Sequence, residues 1–152
     1  KSINDLKFKY AFEIANDLGK RASIEVKKFN LKDHTALVPI PLHKTRNNWR
    51  GFNQAERIGM VIARELQWLL LPSLLHRNTS SKQQALLPMR KRVRNIRGKI
   101  AVNRPVFDTI PQNTAFVLID DVWTTGSTMK EACRVLRLSG AKEVWGLTIA
   151  RA

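Results

Sequence analysis

The sequence predicts a single α/β domain in which helices flank a parallel sheet. Three observations support this class: a buried apolar strand at 115–121, an amphipathic helix at 127–140 and a second strand at 143–151. A strand, a helix and a strand in close succession form a βαβ unit, whose strands are parallel and whose crossover is right-handed. The chain has 152 residues, which suits one domain with a sizeable core.

The N-terminal part predicts a long helix followed by a buried strand. Apolar residues recur at three- or four-residue steps over 3–29, where Gly19 either ends a first helix or lies within a longer one. The apolar run at 36–40 predicts a short strand. Pro39 and Pro41 end it, because proline has no N–H to donate to a strand ladder.

The composition changes abruptly after a predicted helix at 54–66 and a short strand within 68–75. From His76 to Phe107 there are nine Lys and Arg residues and no Asp or Glu. We predict a flexible basic loop over 76–104 that ends near a strand at 99–102. Such a long polar segment inside a compact domain is usually either a functional loop or a disordered one.

The overall charge favours polyanionic partners. The 27 Lys and Arg residues outnumber 12 Asp and Glu, which gives a formal charge of +15. Such a charge attracts nucleic acids, polyphosphates or anionic lipid surfaces, although it could also serve solubility alone.

The single cysteine and the short apolar runs indicate the compartment. Cys133 has no second cysteine with which to form an internal disulfide, which points to a reducing environment. No apolar run approaches the ~20 residues of a membrane helix, and the charged N-terminal residues do not resemble a signal peptide. We therefore expect a cytoplasmic protein without stable membrane insertion.

The residues that most suggest a function follow the strand at 115–121. Asp120 and Asp121 stand at its carboxyl end, where open parallel sheets bind ligands, and ionised carboxylates accept hydrogen bonds from hydroxyl groups. Backbone N–H groups ahead of a helix form an anion site. The loop that offers them, with added hydroxyls and one glycine, is Thr124, Thr125, Gly126, Ser127 and Thr128. An anion cradle beside two hydroxyl acceptors matches a ribose 5-phosphate, whereas the alternative is an ordinary turn in which Asp121 or Thr124 caps the helix.

These motifs resemble a known family. VLIDDVWTTGSTM, at 117–129, resembles the phosphoribosyl pyrophosphate signature of type I phosphoribosyltransferases. LVPIPLHKTRNNWRGFNQAERIG and LLHRNTSSKQQALLPMRKRVRNIRG resemble two segments of the ComF branch, the competence-associated phosphoribosyltransferase-like proteins, and LKFKYAFEIANDLG resembles the segment before its first core strand. The resemblance implies a type I phosphoribosyltransferase fold with a small N-terminal hood at 1–35. Trp123 departs from the pattern, which commonly has Val or Cys there, and would line the pocket or shield it.

The resemblance also implies ligands and roles. Asp120 and Asp121 would bind the ribose hydroxyls of phosphoribosyl pyrophosphate, and 124–128 its 5-phosphate. With Arg50 they are the catalytic candidates for displacing pyrophosphate, while Mg²⁺ would bind mainly through the pyrophosphate rather than to dedicated protein ligands. Pyrophosphate would contact Lys44, Arg46, Arg50, Gly51, Arg77, Lys82 and Arg90, with Gln84 a further candidate. Asn53 would either join this site or cap the next helix.

A second hypothesis is that the domain binds single-stranded DNA, because ComF proteins are associated with DNA uptake in natural transformation. Cations along a path, with aromatic side chains on which bases stack, suit this role. The candidates are Arg46, Trp49, Arg50, Lys91, Arg92, Arg94 and Arg97. A third alternative is a regulator that binds a phosphoribosyl ligand without catalysis. The acceptor and the oligomeric state stay open, although type I relatives are often dimers.

Overall fold

The computed structural model describes residues 3–31, 34–42, 53–78 and 96–152. The helices are α1 (Ile3–Lys27), α2 (Gln54–Leu66), α3 (Arg104–Phe107) and α4 (Ser127–Ser139). The strands are β1 (Thr35–Pro39), β2 (Leu69–Leu70), β3 (Leu75–Arg77), β4 (Ile100–Val102), β5 (Ala115–Trp123) and β6 (Glu143–Arg151).

Four of these strands form a parallel sheet in the order β2–β1–β5–β6. The strands β5 and β6 run parallel with α4 between them, so the predicted βαβ unit is confirmed. Since β5 lies between β1 and β6, its carboxyl end opens at the middle of the sheet. The strands β3 and β4 form a separate antiparallel pair.

Helices cover both faces of the sheet, as the sequence predicts. Successive strand residues point to opposite faces, and both faces of the central strands are apolar. Val117 and Ile119 pack with α2, while Phe116 and Leu118 pack with α4. The α/β class and the flanked parallel sheet are therefore both confirmed.

Helix α1 continues through Gly19 and packs against α2. A Cβ atom at Gly19 would lie 2.6 Å from the Cβ of Val61, so only glycine permits this approach of the two helices. Gly19 is thus an interior residue, which decides between the two predicted alternatives. Within the described ranges, no helix combines the length and apolar character that crossing a bilayer requires.

The predicted basic loop of 76–104, here called the basic segment, has regular secondary structure at both ends. Leu75 pairs with Val102 and Arg77 with Ile100, and the N–H of Asn78 donates to the Lys99 carbonyl at 2.8 Å. The strand predicted near 99–102 is β4, whereas β3 and α3 cut into the predicted loop of 76–104. Its middle part, 79–95, lies outside the described residues.

Candidate functional site

The site is built at the carboxyl ends of β1, β5 and β6. The N–H of Ile40 donates to the Ile119 carbonyl at 2.9 Å, so the end of β1 lies directly beside Asp120. On the other side, Asp120 is in register with Thr148 of β6. This edge is where the sequence predicts the ligand.

Asp120 titrates far above an ordinary aspartate. Burial raises its pKa from 3.8 to about 6. Its Oδ1 accepts a hydrogen bond from the N–H of Asp121 at 2.9 Å, which lowers the pKa, as does the charge of Arg77. The side chain and charge of Asp121 act in the same direction as burial, and about 6 is the net result. Asp120 is therefore largely an ionised acceptor at neutral pH and a protonated group in mild acid.

The loop 124–128 turns β5 directly into α4. Gly126 occupies the N-cap position with φ 69° and ψ 5°, a left-handed conformation that favours glycine. Since the N-cap is Gly126, the alternative in which Asp121 or Thr124 caps the helix is wrong. The hydroxyls of Thr125 and Ser127 lie 2.8 Å apart, and both residues are exposed. The loop thus presents hydroxyls to solvent at the positive end of the α4 dipole.

Trp123 lines the site rather than covering it. Its indole packs against the core beside Met129 and lies directly under the loop, since a Cβ at Gly126 would be 2.2 Å from its Cζ2 atom. Asp120, Trp123, Gly126 and Thr148 enclose a cavity of about 20 Å³. That is room for about one water molecule, so a larger ligand does not fit inside it.

Arg77 is brought to this edge by β3. Its Nε donates to the carbonyl oxygen of Pro41 at 2.9 Å, just beyond the end of β1, and its charge acts on Asp120. Among the predicted pyrophosphate contacts, Arg77 lies in the described part of the chain. Lys44, Arg46, Arg50, Gly51, Lys82, Gln84 and Arg90 lie outside the described residues.

Of the predicted DNA-binding residues, Arg97 lies within the part of the chain that the structure describes. Arg97 lies exposed in a turn that the N–H of Lys99 closes onto the Ile96 carbonyl at 3.0 Å. The remaining candidates outside the described residues are Arg46, Trp49, Arg50, Lys91, Arg92 and Arg94.

Asn53 caps α2. Its Oδ1 accepts from the N–H groups of Ala55 at 3.1 Å and Glu56 at 3.4 Å. Its Nδ2 donates to the Ile40 carbonyl at 3.1 Å. The capping alternative is confirmed, and the same side chain ties α2 to the end of β1.

Sequence reasoning missed Glu131 on α4. Only 5% of Glu131 is exposed, and it accepts hydrogen bonds from the N–H of Gly98 and from the guanidinium of Arg134. The Arg134 hydrogen bonds hold the pKa of Glu131 below its usual value. The available signal was a Glu and an Arg three residues apart on a predicted helix, a spacing that permits a pair but does not indicate burial.

A larger cavity borders the end of β1, where Pro41 and Asn53 line it. About 710 Å³ opens between α1 and α2, lined among others by Phe12, Leu42, Arg57 and Met60. Neither the carboxylates nor the 124–128 loop borders it, so cavity size does not locate the chemistry. Among the described residues, no group of three or more His, Cys, Asp or Glu side chains could hold a metal ion.

Known proteins resemble this chain along most of its length, although no family model matches it. It is 32% identical to the DNA utilization protein YhgH of Escherichia coli (strain K12), covering 95% of this chain and 64% of that protein. It is 33% identical to Competence protein F of Haemophilus influenzae, covering 97% of this chain and 66% of that protein. The chain belongs to the ComF family. It spans just under two thirds of the length of these curated relatives.

A solved structure resembles the fold of this ComF-family protein. It is described as the allosteric regulatory enzyme of purine biosynthesis and matches with a TM-score of 0.56 and 18% identity, covering 89% of this chain and 25% of the other. At that identity the likeness concerns the fold alone. The ComF-family chain has the type I phosphoribosyltransferase fold that the sequence predicts.

Proposed function

We propose that this ComF-family protein is a phosphoribosyltransferase that binds phosphoribosyl pyrophosphate with Mg²⁺ and displaces pyrophosphate. The proposal rests on one observation. Carboxylates that can accept hydrogen bonds from ligand hydroxyls lie at the same sheet edge as loop groups that can donate hydrogen bonds to an anion. Asp120 and Asp121 lie near the carboxyl end of β5, which runs to Trp123, and the exposed hydroxyls of Thr124, Thr125 and Ser127 follow at the junction with α4. Family membership and fold support the same ligand class.

Each half of this edge suits one end of a ribose 5-phosphate. The carboxylates are acceptor-only when ionised, so they bind the vicinal hydroxyls and repel phosphate. The Thr125 and Ser127 hydroxyls, the backbone N–H groups and the α4 dipole attract the phosphate. Binding both ends orients the anomeric carbon outward, towards the end of β1 and Arg77.

Pyrophosphate would leave on the side of Arg77. The guanidinium is held by the Pro41 carbonyl, and Arg50, Lys44 and Arg46 are the further cations that the family motif proposes. The donor set at this edge is two adjacent aspartates, which suits Mg²⁺ bound mainly through pyrophosphate oxygens and water, as Mg²⁺ prefers. The protein would accelerate the reaction by orienting the ligand and stabilising charge on the leaving group.

A second candidate function is binding of single-stranded DNA. The formal charge of +15 and the relatives named for competence and DNA utilization favour it. Arg77, at one end of the basic segment, lies at the edge that would bind pyrophosphate, because its Nε donates to the Pro41 carbonyl and its charge acts on Asp120. DNA and pyrophosphate would therefore compete for one basic surface. The regulator alternative differs only in lacking turnover.

Calorimetric titration with phosphoribosyl pyrophosphate and Mg²⁺ tests the proposal. Changing both Asp120 and Asp121 to Asn should weaken binding at least about a hundredfold, because hydrogen bonds to charged groups each contribute about 1.5–3 kcal/mol. Asp17→Asn, an exposed carboxylate on α1, is the matched control and should bind like the wild type. Normal binding by the double variant would refute the proposal.

A further inference from the structure

A buried carboxylate fastens one end of the basic segment to α4. Glu131 is 5% exposed, and its Oε1 accepts the N–H of Gly98 at 2.7 Å. Gly98 adopts φ 75° in the turn at 96–99, a backbone conformation that favours glycine. We call this turn, with its contact to Glu131, the clasp.

Arg134 completes the clasp from the same helix. Its Nε donates to Oε2 and its Nη2 to Oε1 of Glu131, each at 2.8 Å. This two-point, charge-assisted geometry keeps the carboxylate ionised and aimed at the turn. Arg97, in the turn itself, adds a favourable charge.

The clasp continues without a break to Arg77. After Gly98, the Lys99 carbonyl accepts from the N–H of Asn78 at 2.8 Å, and Ile100 pairs with Arg77 across β3 and β4. The Arg77 Nε then reaches the Pro41 carbonyl. One continuous set of contacts therefore joins α4 to the cation beside the carboxylates.

The β3–β4 pair needs such a support. Each strand has three residues, and an isolated two-stranded hairpin is marginally stable at best in water. Its apolar side chains Leu75 and Ile100 pack in the cluster that includes Ala132 and Leu136 of α4. Apolar packing alone allows sliding, whereas the Glu131 hydrogen bonds define one position.

We propose that Glu131 is a positioning residue that, through the clasp, sets Arg77 beside Asp120 and Pro41 for the pyrophosphate end of the ligand. The proposal rests on the proposed function. A buried ion pair is by itself weak support for a stabilising role, because well-packed apolar residues often serve stability as well. A selective effect on one end of the ligand distinguishes positioning from stability.

Glu131→Gln is the direct test, since it keeps the shape and removes the charge. We expect affinity for phosphoribosyl pyrophosphate with Mg²⁺ to fall roughly tenfold, which is about 1.4 kcal/mol. Affinity for ribose 5-phosphate, which lacks pyrophosphate, should stay within about twofold. Glu65→Gln, from the exposed pair of Glu65 with Arg64, is the control and should change neither.

A double-mutant cycle separates action through Arg77 from an independent effect. Arg77→Ala should weaken the pyrophosphate ligand, and adding Glu131→Gln should cause no further loss. If Glu131→Gln does not fold, Arg134→Lys should give the same selective loss in smaller degree, because lysine lacks the two-point geometry.

Three outcomes would overturn the inference: unchanged binding of both ligands, equal loss for both, or losses that add in the cycle. As long as the wild-type chain binds both ligands, these outcomes leave the proposed function standing. A wild-type chain that binds neither ligand would overturn both proposals.

Discussion

At the scale of single residues, Asp120 combines a proposed ligand role with a cost to folding. Its pKa is raised from 3.8 to about 6, chiefly by burial. The folded chain therefore holds this proton more tightly than the unfolded chain. The favourable contribution of Asp120 to the free energy of unfolding is complete below the unfolded pKa and is lost as pH rises through about 6.

Asp120→Asn should consequently stabilise the protein at neutral pH while weakening ligand binding. The gain should be on the order of 1–3 kcal/mol near pH 7.5 and should vanish near pH 4, because each pKa unit corresponds to about 1.4 kcal/mol. Urea unfolding at both pH values measures it, with Asp17→Asn as an exposed control. A difference from the wild type that does not vary with pH would contradict the assigned burial effect.

Gly126 is constrained twice, by its backbone and by Trp123. Gly126→Ala would add a Cβ at φ 69° and 2.2 Å from the indole. Gly98→Ala is a matched control, since φ is 75° there and nothing lies within 4 Å of the added Cβ. Backbone strain alone costs about 1–2 kcal/mol, so Gly126→Ala should lose clearly more than Gly98→Ala in thermal or urea unfolding. Equal losses would show that Trp123 does not support the loop.

At the scale of elements, the sequence predicts helix ends well where a capping residue marks them. Helix α2 begins after Asn53 and α4 ends at Gly140 with φ 113°, and both boundaries agree with the sequence analysis. The strand β6 also matches the predicted range, because its nine residues follow the helix end at Gly140. In contrast, β3 and α3, which the sequence analysis does not predict, are three and four residues long. Such short elements carry no measurable periodicity and depend on packing against distant parts of the chain.

Asn53 tests the capping account of α2. Asn53→Ala removes the cap and the hydrogen bond to Ile40, and should lower the free energy of unfolding by about 1–2 kcal/mol. Asn53→Asp keeps the acceptor for the Ala55 N–H but loses the Nδ2 donor. Its free energy of unfolding should therefore lie between those of the wild type and Asn53→Ala. Urea unfolding of the three chains decides this. If Asn53→Asp and Asn53→Ala are equally destabilised, the bond to Ile40 rather than the cap carries the effect.

At the scale of the whole molecule, charge makes a prediction of its own. With a formal charge of +15, binding to single-stranded DNA should fall steeply with salt, by a log–log slope of about −0.7 for each phosphate neutralised. Replacing Asp120 and Asp121 by Asn should leave this binding unchanged or strengthen it, since it removes negative charge. Fluorescence anisotropy over a salt series measures both. Weaker DNA binding by the double variant, or binding insensitive to salt, would contradict this second function.

The candidate site divides into a part readable from sequence and a part that is not. Asp120 to Thr128 are contiguous, so their strand, turn and helix signals overlap and their roles follow from local chemistry. The approach of Arg77 to Pro41 spans separate strands, and the Glu131 contact to Gly98 joins α4 to a turn far away in the chain. The family resemblance indicates Arg77 as a candidate. Its contact with the Pro41 carbonyl, however, is visible only in the tertiary structure.

The most direct test of the central claim is an amide NMR titration with ribose 5-phosphate and, in parallel, 2-deoxyribose 5-phosphate. We expect ribose 5-phosphate to shift the amides of Asp120, Asp121 and 124–128. The deoxy sugar should bind the same residues roughly tenfold more weakly, because one hydroxyl partner of the carboxylates is missing. Equal affinity for the two sugars, or shifts confined to the cavity between α1 and α2, would contradict the assignment of this sheet edge as a phosphoribosyl site.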